Sequence, residues 1–110
     1  MFKLSDKLIN TAEENDFTLY IDKESVSVSR YSTAGHDFSF DVDLGKNKEE
    51  FLHNIYEYYV GFDADYEATF WIGEDGHGKN GAPYHIADIV AGMEECKEFI
   101  NEFYNIVNKS

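Results

Sequence analysis

Cysteine, proline and basic residues are all scarce in this sequence of 110 residues. The single cysteine, Cys96, excludes an internal disulfide, and a reducing cytoplasm is therefore the simplest compartment. The single proline, Pro83, argues against a long linker, and neither internal repeats nor low-complexity segments are present. The opening MFKLSDKLIN lacks a long apolar run, so we expect neither a signal peptide nor a membrane span.

The shortage of basic residues restricts the class of partner. Nine lysines and arginines stand against 22 acidic residues, and the formal net charge is −13. Nucleic acids and anionic membranes are polyanions, so direct binding to either is disfavoured and a basic partner protein is favoured. Hydrophobic residues make up 43% of the chain and aromatic residues 16%, which is enough for one folded domain over 1–110 with a core of large side chains.

The negative charge is concentrated in the middle of the chain. Residues 37–78 contain eleven acidic residues and only two lysines, so they carry nine of the thirteen net negative charges. Charge of one sign destabilises a compact state through self-repulsion, and something should offset it. We therefore expect this surface to be met by a strongly basic partner.

Hydrophobic periodicity predicts an α+β fold in the order α-β-β-β-α-β-loop-α. Alternation and short turns predict an antiparallel meander, giving a sheet of three to four strands with helices on one face. Helix is the alternative for the last predicted strand, and Gly92 is a point where the final helical region can divide. The predicted ranges are helix 3–14, strands 17–22, 25–31 and 37–44, helix 48–60, strand 66–72, loop 73–83 and helix 85–108.

The strand predicted at 37–44 has the clearest pattern in the chain. Phe38, Phe40 and the apolar residues that follow line one face, while Asp37, Asp41 and Asp43 line the other. Same-face residues of a strand repeat every ~6.6–6.8 Å, roughly the separation of successive phosphates on a nucleic-acid strand. This row of carboxylates therefore predicts a surface that occupies a groove built for a phosphate backbone.

Further acidic residues extend that predicted surface, although an ordinary solvated face is the alternative interpretation. Glu49 and Glu50 also have a local explanation, since acidic residues favour helix N-termini. The candidate partner-binding residues are Asp37, Asp41, Asp43, Glu49, Glu50, Asp63, Asp65, Glu67, Glu74 and Asp75.

The glycine-rich loop 73–83 contains G-x-G-x-x-G from Gly76 to Gly81. A dinucleotide site needs this motif inside a βαβ unit, with an acidic residue ending a second strand about 20 residues later. That position falls in the terminal helical region here, so we expect a compact turn and no cofactor.

No trusted catalytic signature is present, and no catalytic or metal-binding residue is assigned. Cys96 occupies an apolar helical position, which predicts a buried and inert thiol. Two alternatives stay open. A small metal-dependent enzyme would use Asp75, His77 and His85, whereas a non-enzymatic immunity or adaptor module would use exposed aromatics such as Tyr58 or Trp71.

The element order, length and acidity together resemble the small anti-CRISPR proteins of prophages and other mobile elements. The resemblance covers the arrangement of residues 1–60, and the segment Asp75–Pro83 resembles a turn found in phage and conjugative-element proteins. Acidic inhibitors of type II CRISPR nucleases imitate DNA and fill the site that reads the short motif beside the target. Acidic antirestriction proteins are a second similar group.

The resemblance implies an anti-defence role for this chain. It would be a DNA mimic and nuclease inhibitor acting by protein–protein interaction, in the host cytoplasm if phage-encoded. Its partner would be a CRISPR effector or a restriction enzyme. Residues 61–110 depart from the compact inhibitors by adding a predicted strand and the glycine loop, which leaves the exact target open. No family residue carries over to this chain position by position.

Overall fold

The fold is described from a computed structural model. It covers the backbone of residues 1–33, 35, 37–72 and 86–110, and the side chains of these residues except 70–72 and 86–88. The architecture is α+β, as the periodicity predicts. The elements in chain order are α1 (Asp6–Glu14), β1 (Thr18–Ile21), β2 (Ser25–Tyr31), β3 (Asp37–Asp43), α2 (Lys48–Gly61), α3 (Ala64–Ile72) and α4 (Ile86–Lys109).

The three strands form the predicted antiparallel meander, with β2 in the centre and β3 at one edge. Side chains alternate across the sheet, because successive residues of a strand point to opposite faces. Val28 of β2 lies between Leu19 and Phe40, and both valines of β2 are fully buried. The opposite face carries the polar residues of each strand. The helices therefore cover one face of the sheet, and the other faces solvent.

Phe103 of α4 lies at the centre of the core. Its ring contacts Phe17, Phe40 and Phe51 at centroid distances of 5.7, 6.1 and 6.2 Å. These partners come from the chain before β1, from β3 and from α2. All four rings are nearly or fully buried. Edge-to-face contacts among aromatic rings thus join the sheet to the helices that cover it.

The strand predicted at 66–72 is wrong, since these residues lie in α3. The helix begins because the Asp63 carboxylate accepts hydrogen bonds from the backbone N–H groups of Asp65, at 3.0 Å, and Tyr66, at 3.3 Å. Ala68 is 1% exposed and Tyr66 is 61% exposed, although strict alternation would give both the same environment. The N-cap and the packing of α3 against α4 outweigh the short alternating pattern.

The final helix does not divide at Gly92. α4 is continuous over 24 residues, and the residues on either side of Gly92 in this helix, Ile89, Met93 and Cys96, are almost completely buried. Their packing outweighs the weak helix propensity of one glycine, which costs only about 1 kcal/mol. No helix in the described part of the chain is long and apolar enough to cross a membrane.

Smaller differences concern the ends of the elements. The first helix begins at Asp6 and not at residue 3, because the Ser5 hydroxyl accepts a hydrogen bond from the backbone N–H of Leu8. Strict alternation along 17–22 would place Ile21 on the face of Phe17 and Leu19, but Ile21 is 53% exposed where the edge strand β1 ends.

Gly45 allows the sharp connection between β3 and α2. Its φ angle is +72°, a left-handed conformation that favours glycine, and an added Cβ would lie 2.7 Å from the Cβ of Glu50. Asn47 then caps α2 by accepting a hydrogen bond from the Glu50 N–H at 2.9 Å. The chain therefore reverses within a few residues, and α2 begins directly beside the end of β3.

α2 runs back along β3 in the opposite direction. Asn54 donates a side-chain hydrogen bond to the Asp43 carbonyl at 2.9 Å. Two turns further on, the ring of Phe62 packs against Phe38 with centroids 5.6 Å apart. This alignment places one flank of α2 next to the edge of the sheet that β3 forms.

Replacing Phe103 by alanine should destabilise the fold more than any surface change. Loss of a fully buried aromatic ring should lower the free energy of unfolding by about 3–5 kcal/mol. Val60→Ala is the matched control, because Val60 is 56% exposed on α2. It should change stability by less than ~0.5 kcal/mol. Urea denaturation followed by circular dichroism measures both, and equal midpoints for the two variants would contradict this description of the core.

Candidate partner-binding surface

The carboxylates of β3 lie on the outer face of the sheet. Asp37, Asp41 and Asp43 are all exposed, whereas Phe40 and Val42 between them are 3% exposed. The placement predicted from alternation is therefore confirmed. Because the positions of these side chains are fixed by a strand, Asp41 and Asp43 stand about 6.6–6.8 Å apart along it.

The neighbouring strands add polar side chains to this outer face but no cation. In the β2–β3 register, Ser25 lies opposite Asp43 and Ser27 opposite Asp41. Tyr20 of β1 lies on the far side of Ser27 and is 69% exposed. Serines therefore separate the acidic edge from the tyrosine edge, and no side chain of the sheet neutralises the carboxylates on this face.

Arg30, the one basic residue in the three strands, lies on the opposite face. Its guanidinium stacks over the rings of Phe17 and Phe99, at 5.1 and 4.4 Å from their centroids, and forms an ion pair with Glu102 of α4. Arginine suits this position because its planar, delocalised charge stacks on aromatic faces. The cation of the sheet is thus occupied away from the acidic face.

A groove lies between the β3 edge and α2. Its first part has a volume of about 420 Å³, and its second part, towards α3, about 330 Å³. Glu57 and Tyr58 line both parts, so the two are adjacent. We call the whole the acidic groove. Its lining residues are Ser25, Asp41, Val42, Asp43, Asn54, Glu57, Tyr58, Gly61, Phe62 and Glu67.

The pKa of Tyr58 reports the charge of this groove. Burial of the phenol raises its pKa above the ordinary value of 10.0, and the carboxylates of Glu67 and then Asp41 raise it further. Tyr58 ionises to an anion, so nearby negative charge disfavours the ionised form. Carboxylates from α3 and from β3 therefore act on the same side chain from two sides.

No lysine or arginine lines the acidic groove within the described residues. Glu57 pairs with His53 one helical turn earlier, at 2.9 Å, and both side chains are about two-thirds exposed. Lys48 instead donates to the carbonyls of Asn108 and Ser110 at the C-terminal end. Lys46 lies in a separate depression beside Asp43 and forms no ion pair with it in the described structure.

Other predicted site residues have local roles at helix starts. Glu49 and Glu50 lie in the first turn of α2 and Asp65 in that of α3, where carboxylates interact favourably with the helix dipole. The Asp63 carboxylate caps α3. Glu74 and Asp75 lie outside the described residues.

The structure thus brings Asp41, Asp43 and Glu67 together and adds Glu57, which the sequence analysis did not select. Asp37 lies on the same outer face as Asp41, two same-face steps earlier along β3 and outside the groove lining. Glu57 follows Asn54 by three residues on α2, so the two side chains lie on one flank of the helix. This spacing is the sequence feature that could have identified Glu57 as a site residue. It becomes informative only once α2 is known to run beside β3.

Catalytic chemistry gains no support from the described residues. No group of three or more His, Cys, Asp or Glu side chains there is placed to hold a metal ion. Burial, followed by the charges of Glu95 and Glu67, raises the pKa of the Cys96 thiol to about 12, which leaves it protonated and poorly nucleophilic. The alternative metal site at Asp75, His77 and His85 lies outside the described residues.

Comparison with protein-family models, curated proteins and solved structures gives no match to this chain. Inference about function therefore depends on the surface geometry and the charges.

Neutralising the groove carboxylates should lower the pKa of Tyr58. Glu67→Gln should lower it more than Asp41→Asn, because Glu67 is the larger of the two charge effects. NMR titration of ¹³C-labelled tyrosines measures the change, with Tyr58→Phe assigning the signal. Glu13→Gln, on α1, is the control and should leave the pKa unchanged.

The raised pKa of Tyr58 also determines how its contribution to stability changes with pH. Because the folded state favours the neutral phenol, the contribution of Tyr58 is complete below about pH 10 and is lost as pH rises through the higher folded pKa. An unchanged Tyr58 pKa in both groove variants would show that the three side chains do not lie together.

Proposed function

We propose that this protein is a non-catalytic, acidic inhibitor that binds the basic DNA- or RNA-binding site of a defence nuclease. The partner would be a CRISPR effector or a restriction enzyme, and the inhibitor would act in the cytoplasm, that of the host if the gene is carried by a phage. Inhibition would be competitive, with carboxylates occupying the positions of phosphates. The protein would bind neither nucleic acid nor membrane directly.

One observation carries this proposal: Asp41, Asp43, Glu57 and Glu67 lie together along the acidic groove, and no lysine or arginine forms an ion pair with any of them in the described structure. Glu102, by contrast, is paired with Arg30 of the sheet. Glu57 has only His53 as a partner among the described residues. Carboxylates gathered on one surface repel each other, and binding of a basic cleft would remove that repulsion.

The geometry favours a polyanion-like contact over a scattered solubilising charge. Two carboxylates lie on one strand face, about 6.6–6.8 Å apart, and a strand holds that separation more firmly than a loop does. The serines beside them are small and uncharged, so they allow close approach of lysine and arginine side chains. Contacts of this type speed association and depend strongly on salt.

Charge reversal on β3 should abolish competition with nucleic acid. Asp41→Lys with Asp43→Lys should weaken inhibition by roughly tenfold or more, the effect of about 1.4 kcal/mol or more of lost interaction. Glu13→Lys with Glu14→Lys is the matched control, since it changes the net charge equally on exposed positions of α1. The measurement is displacement of a labelled DNA duplex from purified type II CRISPR nucleases and restriction enzymes.

Inhibition by the parent should also weaken by roughly tenfold or more between about 50 and 200 mM salt, because ion pairs across the contact are screened. If the β3 variant and the α1 control inhibited equally well, the acidic surface would not be the contact. Failure of the parent to displace DNA from every enzyme tested would remove support for this class of target.

The exposed tyrosines favour a second candidate, a protein-interaction module of the immunity or adaptor type. Tyr20 and Tyr31 are each 69% exposed on the outer sheet face, and exposed tyrosines are frequent hot spots. Tyr58, one of the aromatics predicted for this role, is half-buried in the groove, and the side chain of Trp71 lies outside the described residues.

The two candidates respond differently to mutation. For an adaptor, Tyr20→Ala with Tyr31→Ala should weaken partner binding by more than ~2 kcal/mol, with little dependence on salt. For the inhibitor, the same double variant should change binding by less than ~1 kcal/mol, because the carboxylates supply the contact. Calorimetric titration of the identified partner at two salt concentrations separates the two functions.

A further inference from the structure

The edge of β3 that faces away from β2 offers backbone hydrogen-bonding groups as well as carboxylates. In an antiparallel pair, residues alternate between those that bond to the neighbouring strand and those whose N–H and C=O point away from it. The Leu44 N–H donates to the Glu24 carbonyl at 2.8 Å, which continues the β2–β3 register by one residue. The residues of β3 that bond to β2 are therefore Phe38, Phe40 and Val42.

The remaining residues of β3 direct their backbone groups outward. The hydrogen bond from Asn54 of α2 to the Asp43 carbonyl agrees with this orientation, since α2 packs against β3, the strand at this edge of the sheet. Ser39 and Asp41 have no backbone partner on that side among the described residues. An extended chain placed beside β3 would meet the N–H and C=O groups of both.

The acidic groove provides space for such a chain beside Asp41 and Asp43, and Ser39 lies one same-face step further along the same edge, outside the groove lining. The groove has the β3 edge on one side and Asn54, Glu57 and Tyr58 of α2 on the other, and it continues past Gly61 towards Glu67. A strand and a helix flank are the two sides of a site for peptide binding by strand addition. The Asn54–Asp43 hydrogen bond occupies one end of the edge and leaves Ser39 and Asp41 for the incoming strand.

The carboxylates along β3 determine which kind of chain can pair with this edge. A second copy paired antiparallel through the same edge, centred on Phe40, would set Asp37 of each chain opposite Asp43 of the other, with Cβ atoms about 5 Å apart, and like charges directly opposite are destabilising. Lysine or arginine at alternate positions of an added strand would instead lie beside these carboxylates on the outer face. The intervening side chains would point towards Tyr58 and Glu57.

We propose that this groove binds an extended, Lys- or Arg-rich segment of the partner protein, which adds to the sheet as a fourth strand beside β3. The inference rests on the proposed function, because it takes the partner to be basic. It adds the conformation and the hydrogen-bonding pattern of the bound segment, which a purely electrostatic contact would not specify.

The test uses a ten-residue peptide of alternating lysine and threonine, with a second peptide of the same sequence carrying N-methyl groups on its central residues. N-Methylation keeps the charge and removes backbone donors. The parent protein should bind the first peptide and should bind the second roughly tenfold or more weakly, as expected for loss of one or two hydrogen bonds. Amide resonances of Ser39 and Asp41 should shift in NMR spectra on binding.

Ser39→Pro removes an outward N–H while leaving the β2–β3 hydrogen bonds intact, and proline is tolerated at such edge positions. It should weaken binding of the unmodified peptide roughly tenfold. Ser39→Ala keeps the N–H and should change it less than about twofold. Circular dichroism confirms that both variants fold, and the N-methylated peptide tests the same hydrogen bonds on unmutated protein.

The outcomes separate this inference from the function it builds on. Equal affinity for the two peptides, or no binding of either, would overturn strand addition. The acidic-surface proposal would stand in both cases if Asp41→Lys with Asp43→Lys still lost inhibition of the nuclease. Sedimentation of the free chain as a dimer broken by Ser39→Pro would also overturn the inference, because a second copy would then occupy the edge.

Discussion

The alternation of side chains along β3 fixes the core and the acidic surface together. Phe38, Phe40 and Val42 are drawn inward by the hydrophobic effect, and the aspartates between them are thereby directed to solvent. A shift of the strand by one residue would bury carboxylates and expose phenylalanines. The orientation of the charged face is therefore stabilised by the packing of the apolar face, and neither can change without the other.

That coupling explains how a chain of net charge −13 holds a concentrated acidic surface. The rings around Phe103 join the sheet, α2 and α4 into one core, and its stabilisation offsets the repulsion among exposed carboxylates. Two of the basic side chains contact aromatic rings away from the acidic groove. Arg30 stacks on Phe17 and Phe99, and Lys97 lies over the ring of Tyr59, 4.9 Å from its centroid.

Much of this fold follows from local patterns that one sequence displays. Strict alternation defines β3, and Asn47 three residues before Glu50 marks the start of α2. The strand predicted at 66–72 fails because seven residues of alternation also fit a short helix, and the deciding contact is the cap from Asp63. Capping geometry depends on backbone angles that a pattern of apolar residues does not encode.

The candidate site was less accessible to sequence reasoning than the fold. The outward direction of Asp41 and Asp43 follows from a period of two, but their proximity to Glu57 and Glu67 is a tertiary property. It depends on α2 reversing along β3 and on α3 returning towards the same groove. The concentration of negative charge in residues 37–78 identified the region. Only the packing of β3, α2 and α3 shows that Asp41, Asp43 and Glu67 of the predicted residues lie together, with Glu57 beside them.

Gly45 has a consequence for how such a site can evolve. Gly45 has a φ of +72°, and a side chain added there would meet the Cβ of Glu50. A larger residue at this position would therefore disturb the short connection between β3 and α2. We therefore expect the relative position of α2 and β3 to stay the same when other parts of the sequence change. Selection for a different target would act on the flank of the helix, at Asn54 and Glu57, where side chains can vary without moving the frame.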